Sequence, residues 1–322
     1  MLGGDGAPEV VADALALLNA SEGSESIDLL LVGPVNVVGE LLIDRGIAVD
    51  RWPTVDAQGA VLMDGDPLAL RSQTSLSAAV AACAVRDGLA DAWVSAGHTG
   101  ASVAAGVLHL GRMTGMSRPA LAVVLPATHG PVVLVDAGAS LEATSQVLLE
   151  FALAGWCYAR ALDIEFPHVG LLSIGSEPGK GDALRSQTDH LLRTQLPDFG
   201  IAYSGTVEGQ DVSDGRRAQV IVTDGFTGNV VLKAIEGAVS WTAMHLAQAY
   251  QDSGPARQLV RQTLTSDFAG GMLLGVNGVS VVGHGASRPA EIAACIKLAA
   301  RVADHDIVAQ TQSVFTLMAA RP

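Results

Sequence analysis

Apolar runs alternate with helix-period segments along most of this chain, and the apolar runs break into polar turns that contain glycine. The plainest case is 219–233. Val220-Ile221-Val222 is β-branched and uninterrupted, which predicts a buried strand. It breaks into Asp224-Gly225-Phe226-Thr227-Gly228-Asn229 and resumes with apolar residues at Val231, Ile235 and Ala238, which predicts a helix. Two glycines let the backbone approach a ligand closely, and the free N–H groups of a helix start attract anions. Taken alone, the stretch also reads as an ordinary strand-to-helix turn with Asp224 and Asn229 as caps.

The design recurs. Pro8 opens a predicted helix to about Ala20, Ile27–Gly33 reads as a buried strand, and 66–86 reads as a helix kinked near Ser72–Ser75. Ala92–Ser95 runs into Gly97-His98-Thr99-Gly100 and an Ala-rich helix to about Leu110. Pro119–Pro126 and Pro131–Asp136 form a predicted antiparallel hairpin around Thr128-His129-Gly130. The second arm leads through Asp136-Ala137-Gly138-Ala139-Ser140 to a helix ending at Ala161. His168–Ile174 is a predicted strand, followed by the turn 175–181 and a helix to Leu196. A helical hairpin is expected over 232–264, broken at Ser253-Gly254-Pro255. Gly278–Val282 is the last predicted strand, followed by Gly283-His284-Gly285-Ala286-Ser287 and a helix to about Ala303.

This alternation predicts a single α/β domain over 1–322, with a doubly wound, mostly parallel sheet and helices on both faces. Ligands of such sheets bind beyond the carboxyl ends of the strands. The turns 97–100, 136–140, 175–181, 224–229 and 283–287 are therefore expected to share an anion or phosphate site.

Composition narrows the partner. The net charge of −14 argues against nucleic acid and requires any anionic ligand to find a local basic group. Lysine occurs only at 180, 233 and 297, so Lys180 between Gly179 and Gly181 stands out. Cys83, Cys157 and Cys295 have neither paired nor metal-ligand spacing and read as small buried residues. No apolar run reaches the roughly 18 residues of a spanning helix, and the N-terminus does not read as a signal peptide. The expected compartment is the cytoplasm, with peripheral membrane contact left open.

Several chemistries lack their parts. No G-x-G-x-x-G follows a strand, no Walker-type glycine loop is present, and no G-x-S-x-G elbow surrounds Ser95. The H-x-x-x-x-D signature of glycerol acyltransferases is absent, and of the eight histidines only His98 and His284 fall in the glycine turns.

At these turns the chain resembles the phosphate acyltransferase family (PlsX type, acyl-acyl carrier protein:phosphate transacylase). The resemblance is carried by GGDGAPE at 3–9, VSAGHTGA at 94–101, RPALAVVLP at 118–126, VLVDAGA at 133–139 and VGLLSIGSEPGKG at 169–181. It continues in VEGQD at 207–211, TDGFTGNVVLKAIEG at 223–237 and LLGVNG at 273–278, of which 223–237 is the most specific. It implies that inorganic phosphate attacks a long-chain acyl thioester of acyl carrier protein to give an acyl phosphate for phospholipid synthesis. It also implies a homodimer, loose membrane association, no metal or organic cofactor, and a fold related to isopropylmalate dehydrogenase and phosphotransacetylase.

On that resemblance, Lys180 and Asn229 are the expected catalytic residues, as a fixed charge and an amide donor. Gly4, Asp5, Ser95, Gly97, His98, Thr99, Gly100, Asp136, Gly138, Ser140, Gly175, Asp224, Gly225, Thr227, Gly228 and His284 are the expected phosphate or substrate contacts. The chain departs from the family pattern at Gly6, usually His, and at His98, usually Asn. Ser140, Glu142 and Thr144 stand where the family has Asn, Asp and Lys; Ser173 and Thr206 each replace an Asn, and Gln210 an Arg. The strand that precedes the first glycine motif in the family is also missing. That gap implies either a start upstream of Met1 or a neighbouring segment covering the slot. Two other readings stay open: a non-catalytic paralogue that binds acyl carrier protein or the membrane, and a phosphotransacetylase-like enzyme using a coenzyme A thioester.

Overall fold

A computed structural model describes residues 1–21, 26–62, 65–177, 179–263 and 269–320. The described chain groups into two compact units: 1–112 with 269–304, and the remainder.

In the first unit, α1 (Glu9–Asn19) follows Pro8 and buries Ala12, Ala14, Leu15 and Leu18. The three- and four-residue spacings of that set place it on one face of the helix. α2 (Val35–Asp44) buries Val38 and Leu42, and these side chains share a core with Trp52 and with Ile292 of α10 (Pro289–Asp304). β1 covers only Leu31–Val32, parallel to β2 (Thr54–Val55). The strand predicted over 27–33 is thus much shorter, because β2 offers only two residues to pair with. The Met1 amino group donates to the Val32 carbonyl at 2.9 Å, and burial pushes its pKa down to about 6.

The helix predicted over 66–86 is two elements. Asp66 accepts from the Leu68 N–H and starts a 3₁₀ turn, Pro67–Arg71, before α3 (Ser77–Arg86) begins. β3 (Ala92–Ser95) lies parallel to β10 (Val279–Val282), and β9 (Gly271–Leu274) runs antiparallel on the other side of β10. α4 (Thr99–Ala105) follows β3 and ends in a π turn, Gly106–Leu110.

In the second unit, β4 (Ala120–Ala127) and β5 (Gly130–Val135) form the predicted antiparallel hairpin. Beyond β5 the pairing is parallel throughout. β5 pairs with β8 (Val220–Val222), β8 with β6 (Val169–Leu172), and β6 with β7 (Tyr203–Val207). β6 and β8 are buried at every position, as unbroken apolar runs require. The helices are α5 (Ser145–Ala161), α6 (Ala183–Gln195), α7 (Gly209–Asp214), α8 (Gly225–Tyr250), α9 (Ser253–Thr263) and α11 (Ile307–Ala319).

α8 and α9 make the helical hairpin, which starts at Gly225 rather than 232; the expected end at Leu264 lies outside the described residues. The break falls at Gln251–Asp252, before the predicted Ser253-Gly254-Pro255. Asp252 accepts from the Gly254 N–H at 2.8 Å, and Pro255 is accommodated in the first turn of α9, where a missing N–H costs no helical bond.

Candidate active site

β5, β8 and β6 are adjacent and parallel, so the turns that follow them share one rim. These are 136–140, 224–229 and 175–181, with Pro178 outside the described residues. Asp136 organises the first turn. Its Oδ1 accepts from the N–H groups of Leu121 (2.9 Å), Gly138 (3.0 Å) and Ala139 (2.9 Å), and its Oδ2 from Ser140 (2.6 Å). Burial pushes the Asp136 carboxyl above its usual range, against the pull of those four donors. The N–H groups that the sequence assigns to an external anion here are taken by the protein's own carboxylate. Ser140 adds a hydroxyl bond to the Pro119 carbonyl at 3.2 Å, so the turn is braced on β4 as well.

α8 begins against that turn. The Gly225 N–H donates to the Ser140 carbonyl at 2.9 Å. A Cβ on Gly225 would lie 2.6 Å from Asp136 Oδ2, and one on Gly228 would overlap the Asp136 carbonyl oxygen. Only glycine allows this approach. Asp224 caps the helix, accepting from the Thr227 N–H and hydroxyl, each at 2.9 Å. Burial pushes its pKa up, but these two donors and the Arg185 guanidinium outweigh it and hold Asp224 below the usual carboxylate range. Asn229, exposed one turn into the helix, donates through Nδ2 to the Ala137 carbonyl at 3.2 Å.

Lys180 is exposed, and its stem passes over Gly175, where a Cβ would lie 3.0 Å from Lys180 Cγ. Its ammonium has no ion-pair partner among the described residues. An unpaired ammonium beside a helix N-terminus is free to meet an anion.

Arg185 was not foreseen from the sequence. It lies on the first turn of α6 with its side chain 11% exposed, and pairs with both Asp182 and Asp224. Its partner Asp224 is 39 positions away, so no local pattern announces the contact.

The first unit gathers the remaining predicted residues at the carboxyl ends of β3 and β10. Gly4, at φ +95°, packs where a Cβ would lie 2.6 Å from the Ala96 carbonyl and 2.9 Å from that of Gly285. The Asp5 N–H donates to the Gly285 carbonyl at 2.8 Å. Ser95 Oγ accepts from the Gly97 N–H at 3.3 Å and lies 3.0 Å from the Ser102 hydroxyl, which also reaches the His98 carbonyl at 3.3 Å.

His98 caps α4, accepting from the Ala101 N–H through Nδ1 at 3.1 Å; the ring lies over Gly100. Thr99 is the exposed first residue of that helix. The His98 ring, where the resemblance predicts Asn, is thus the N-cap of α4. His284 likewise accepts through Nδ1 from the Ala286 N–H at 3.2 Å.

Among the other departures, Thr144 caps α5 and the Ser173 hydroxyl donates to the Lys180 carbonyl at 3.4 Å. Thr206 lends its carbonyl to Arg217.

Comparison with known proteins gives the family and the fold. Residues 1–310 match the family described as "Fatty acid synthesis protein". The phosphate acyltransferase of Thermobifida fusca (strain YX) is 39% identical over 309 residues, covering 92% of this chain and 84% of that protein. That of Heliobacterium modesticaldum is 38% identical over 328 residues, covering 97% and 95%. Among solved structures, a phosphotransacetylase from Streptococcus pyogenes superposes with a TM-score of 0.62 at 20% identity, over 92% of each chain. A phosphotransacetylase from Staphylococcus aureus gives 0.61 at 15% identity, over 91% of each. These two show the fold: α/β, mostly parallel, of the phosphotransacetylase kind. With relatives this similar over nearly its whole length, the chain belongs to the phosphate acyltransferase family, PlsX type.

Proposed function

We propose that this protein is an acyltransferase that moves a long-chain acyl group from acyl carrier protein to inorganic phosphate, giving acyl phosphate for phospholipid synthesis. The observation that carries the reading is the rim of β5, β8 and β6, where the unpaired Lys180 ammonium and the Asn229 amide stand at the same strand ends.

The chemistry asks for little more. A phosphate oxygen attacks the thioester carbonyl, and the new C–O bond forms as the carbonyl electrons move onto oxygen. The tetrahedral intermediate collapses, the C–S bond breaks, and the thiolate leaves and takes a proton from solvent. A thiol with a pKa of about 8.5 leaves without strong acid assistance, and phosphate needs no enzyme nucleophile. The protein must hold a dianion against a carbonyl and stabilise the oxyanion. Lys180 supplies the charge, Asn229 an amide donor, and the Asp224 turn orients the helix start between them.

A homodimer is part of this reading. Phe226, Val230, Trp241 and Met244 are exposed on α8 at three-, four- and eleven-residue intervals, which puts them on one face, and a second copy of the chain suits that apolar stripe. The proposed location is the cytoplasm with peripheral membrane contact; no helix among the described residues is long and apolar enough to cross a membrane.

Incubation of the purified protein with palmitoyl-acyl carrier protein and phosphate should yield acyl phosphate and free carrier protein. Turnover of acetyl-coenzyme A in preference would replace this reading with a short-chain one. Tight carrier-protein binding without turnover would replace it with a non-catalytic one.

A further inference from the structure

Arg185 touches the starts of two helices at once. Its Nη1 donates to Asp182 Oδ2 at 3.2 Å, and Asp182 is the N-cap of α6, two residues after Lys180. Its Nη2 donates to Asp224, the N-cap of α8, five residues before Asn229, and also to the hydroxyls of Thr223 (3.3 Å) and Thr227 (3.1 Å). We propose that Arg185 is a positioning residue, which staples the Lys180 turn to the Asn229 helix by bridging the two capping carboxylates. The proposal rests on the roles given above to Lys180 and Asn229.

Three considerations favour a positioning role over a purely stabilising one. An ion pair shielded from water gains little net stability, because desolvation offsets the attraction. The planar guanidinium instead supplies direction, and its fork reaches acceptors on two different elements in fixed geometry. It also places a positive charge beside Asp224, whose carboxylate would otherwise repel phosphate approaching the same rim. Lys180 keeps no partner of its own, so its position depends on the turn that carries it and on what anchors that turn.

Steady-state kinetics of Arg185→Met and Arg185→Lys, alone and with Lys180→Arg, test the staple. We expect Arg185→Met to lower kcat/KM for phosphate on the order of 10²-fold, as small misplacements of catalytic groups do, with little change in the thioester KM. Arg185→Lys should recover part of the loss. In the Lys180→Arg background, where a guanidinium fork already displaces the charge, Arg185→Met should cost much less, since groups that act as a unit are not additive. Hydrogen exchange should quicken together at Lys180–Gly181 and Gly225–Asn229 in Arg185→Met.

Wild-type kcat/KM in Arg185→Met, or a fully multiplicative loss in the double variant, would overturn the proposal. If Arg185→Met does not fold, Arg185→Lys carries the same comparison. Absence of acyl phosphate from wild type would strike the reaction assignment instead. The staple would then be judged by exchange, and unchanged protection at both turns would refute it.

Discussion

The Asn229 side-chain amide donates to the Ala137 carbonyl at 3.2 Å, tying the first turn of α8 to the turn after β5. An amide has two N–H protons, so this bond leaves the second free to point at a substrate oxygen. It also holds the side chain in place before any substrate arrives, which is what an oxyanion donor requires.

Asn229→Ala is therefore expected to fold normally and to lose turnover on the order of 10²-fold, the usual cost of removing one oxyanion donor. Asn229→Asp should be at least as poor, since a carboxylate cannot donate and faces the Ala137 carbonyl. Unchanged kcat in Asn229→Ala, with melting behaviour like wild type, would remove Asn229 from the mechanism.

At Lys180, charge and shape can be separated. Lys180→Ala should be nearly inactive. Lys180→Arg keeps the charge but swaps a compact ammonium for a wide fork, and should be impaired yet measurable. Both should fold, because an exposed loop charge contributes little to stability. Wild-type rates for both at saturating substrates would make Lys180 a solvated loop residue.

Gly228→Ala sets two effects against each other. Helix propensity alone favours alanine by about 1 kcal/mol. The new methyl, however, meets the Asp136 carbonyl, a backbone atom of a turn already held by four hydrogen bonds. Overpacking of this kind costs about 1–3 kcal/mol, so the expected net result is a less stable protein in urea titration. Stabilisation by this substitution would show that the Asp136 turn yields freely.

Stability should fall at both ends of the pH range for different reasons. Asp224 is held below its usual pKa in the fold. Its contribution is present above the unfolded carboxyl value of about 3.9 and is lost as pH falls through the lowered folded value. Asp136, pushed up, works in the opposite direction and blunts the acid loss. At the alkaline end, burial pushes the Cys157 thiol up to about 11 and Cys295 up to about 12. Unfolded thiols ionise near 8.5, so stability drops as pH rises from about 8.5 towards the folded values. Thiol reagent at about pH 8 should modify half-buried Cys83 first, and Cys157 and Cys295 only on unfolding. Rapid labelling of Cys157 in folded protein would contradict its burial.

The elements legible in the sequence were those whose partners hardly matter. Val220–Val222 and Val169–Leu172 are strands wherever they pair, because an unbroken apolar run must be buried on both faces. The glycine turns were legible for a similar reason: Gly225 and Gly228 mark a place where backbone must approach backbone. The sequence also pointed to Lys180, an isolated ammonium between glycines in a lysine-poor chain.

What the tertiary structure decided was the destination of each polar group. The Asp136 turn looks like an anion nest in sequence, but its N–H groups close on Asp136 itself, since a buried carboxylate must find donors. Leu31–Val32 shrank to two residues because a strand extends only as far as its neighbour pairs with it. Arg185 reads as one more helical arginine until the fold brings Asp224 to it. A contact across 39 positions depends on how the helices after β6 and β8 pack, and that packing has no local signature in the chain.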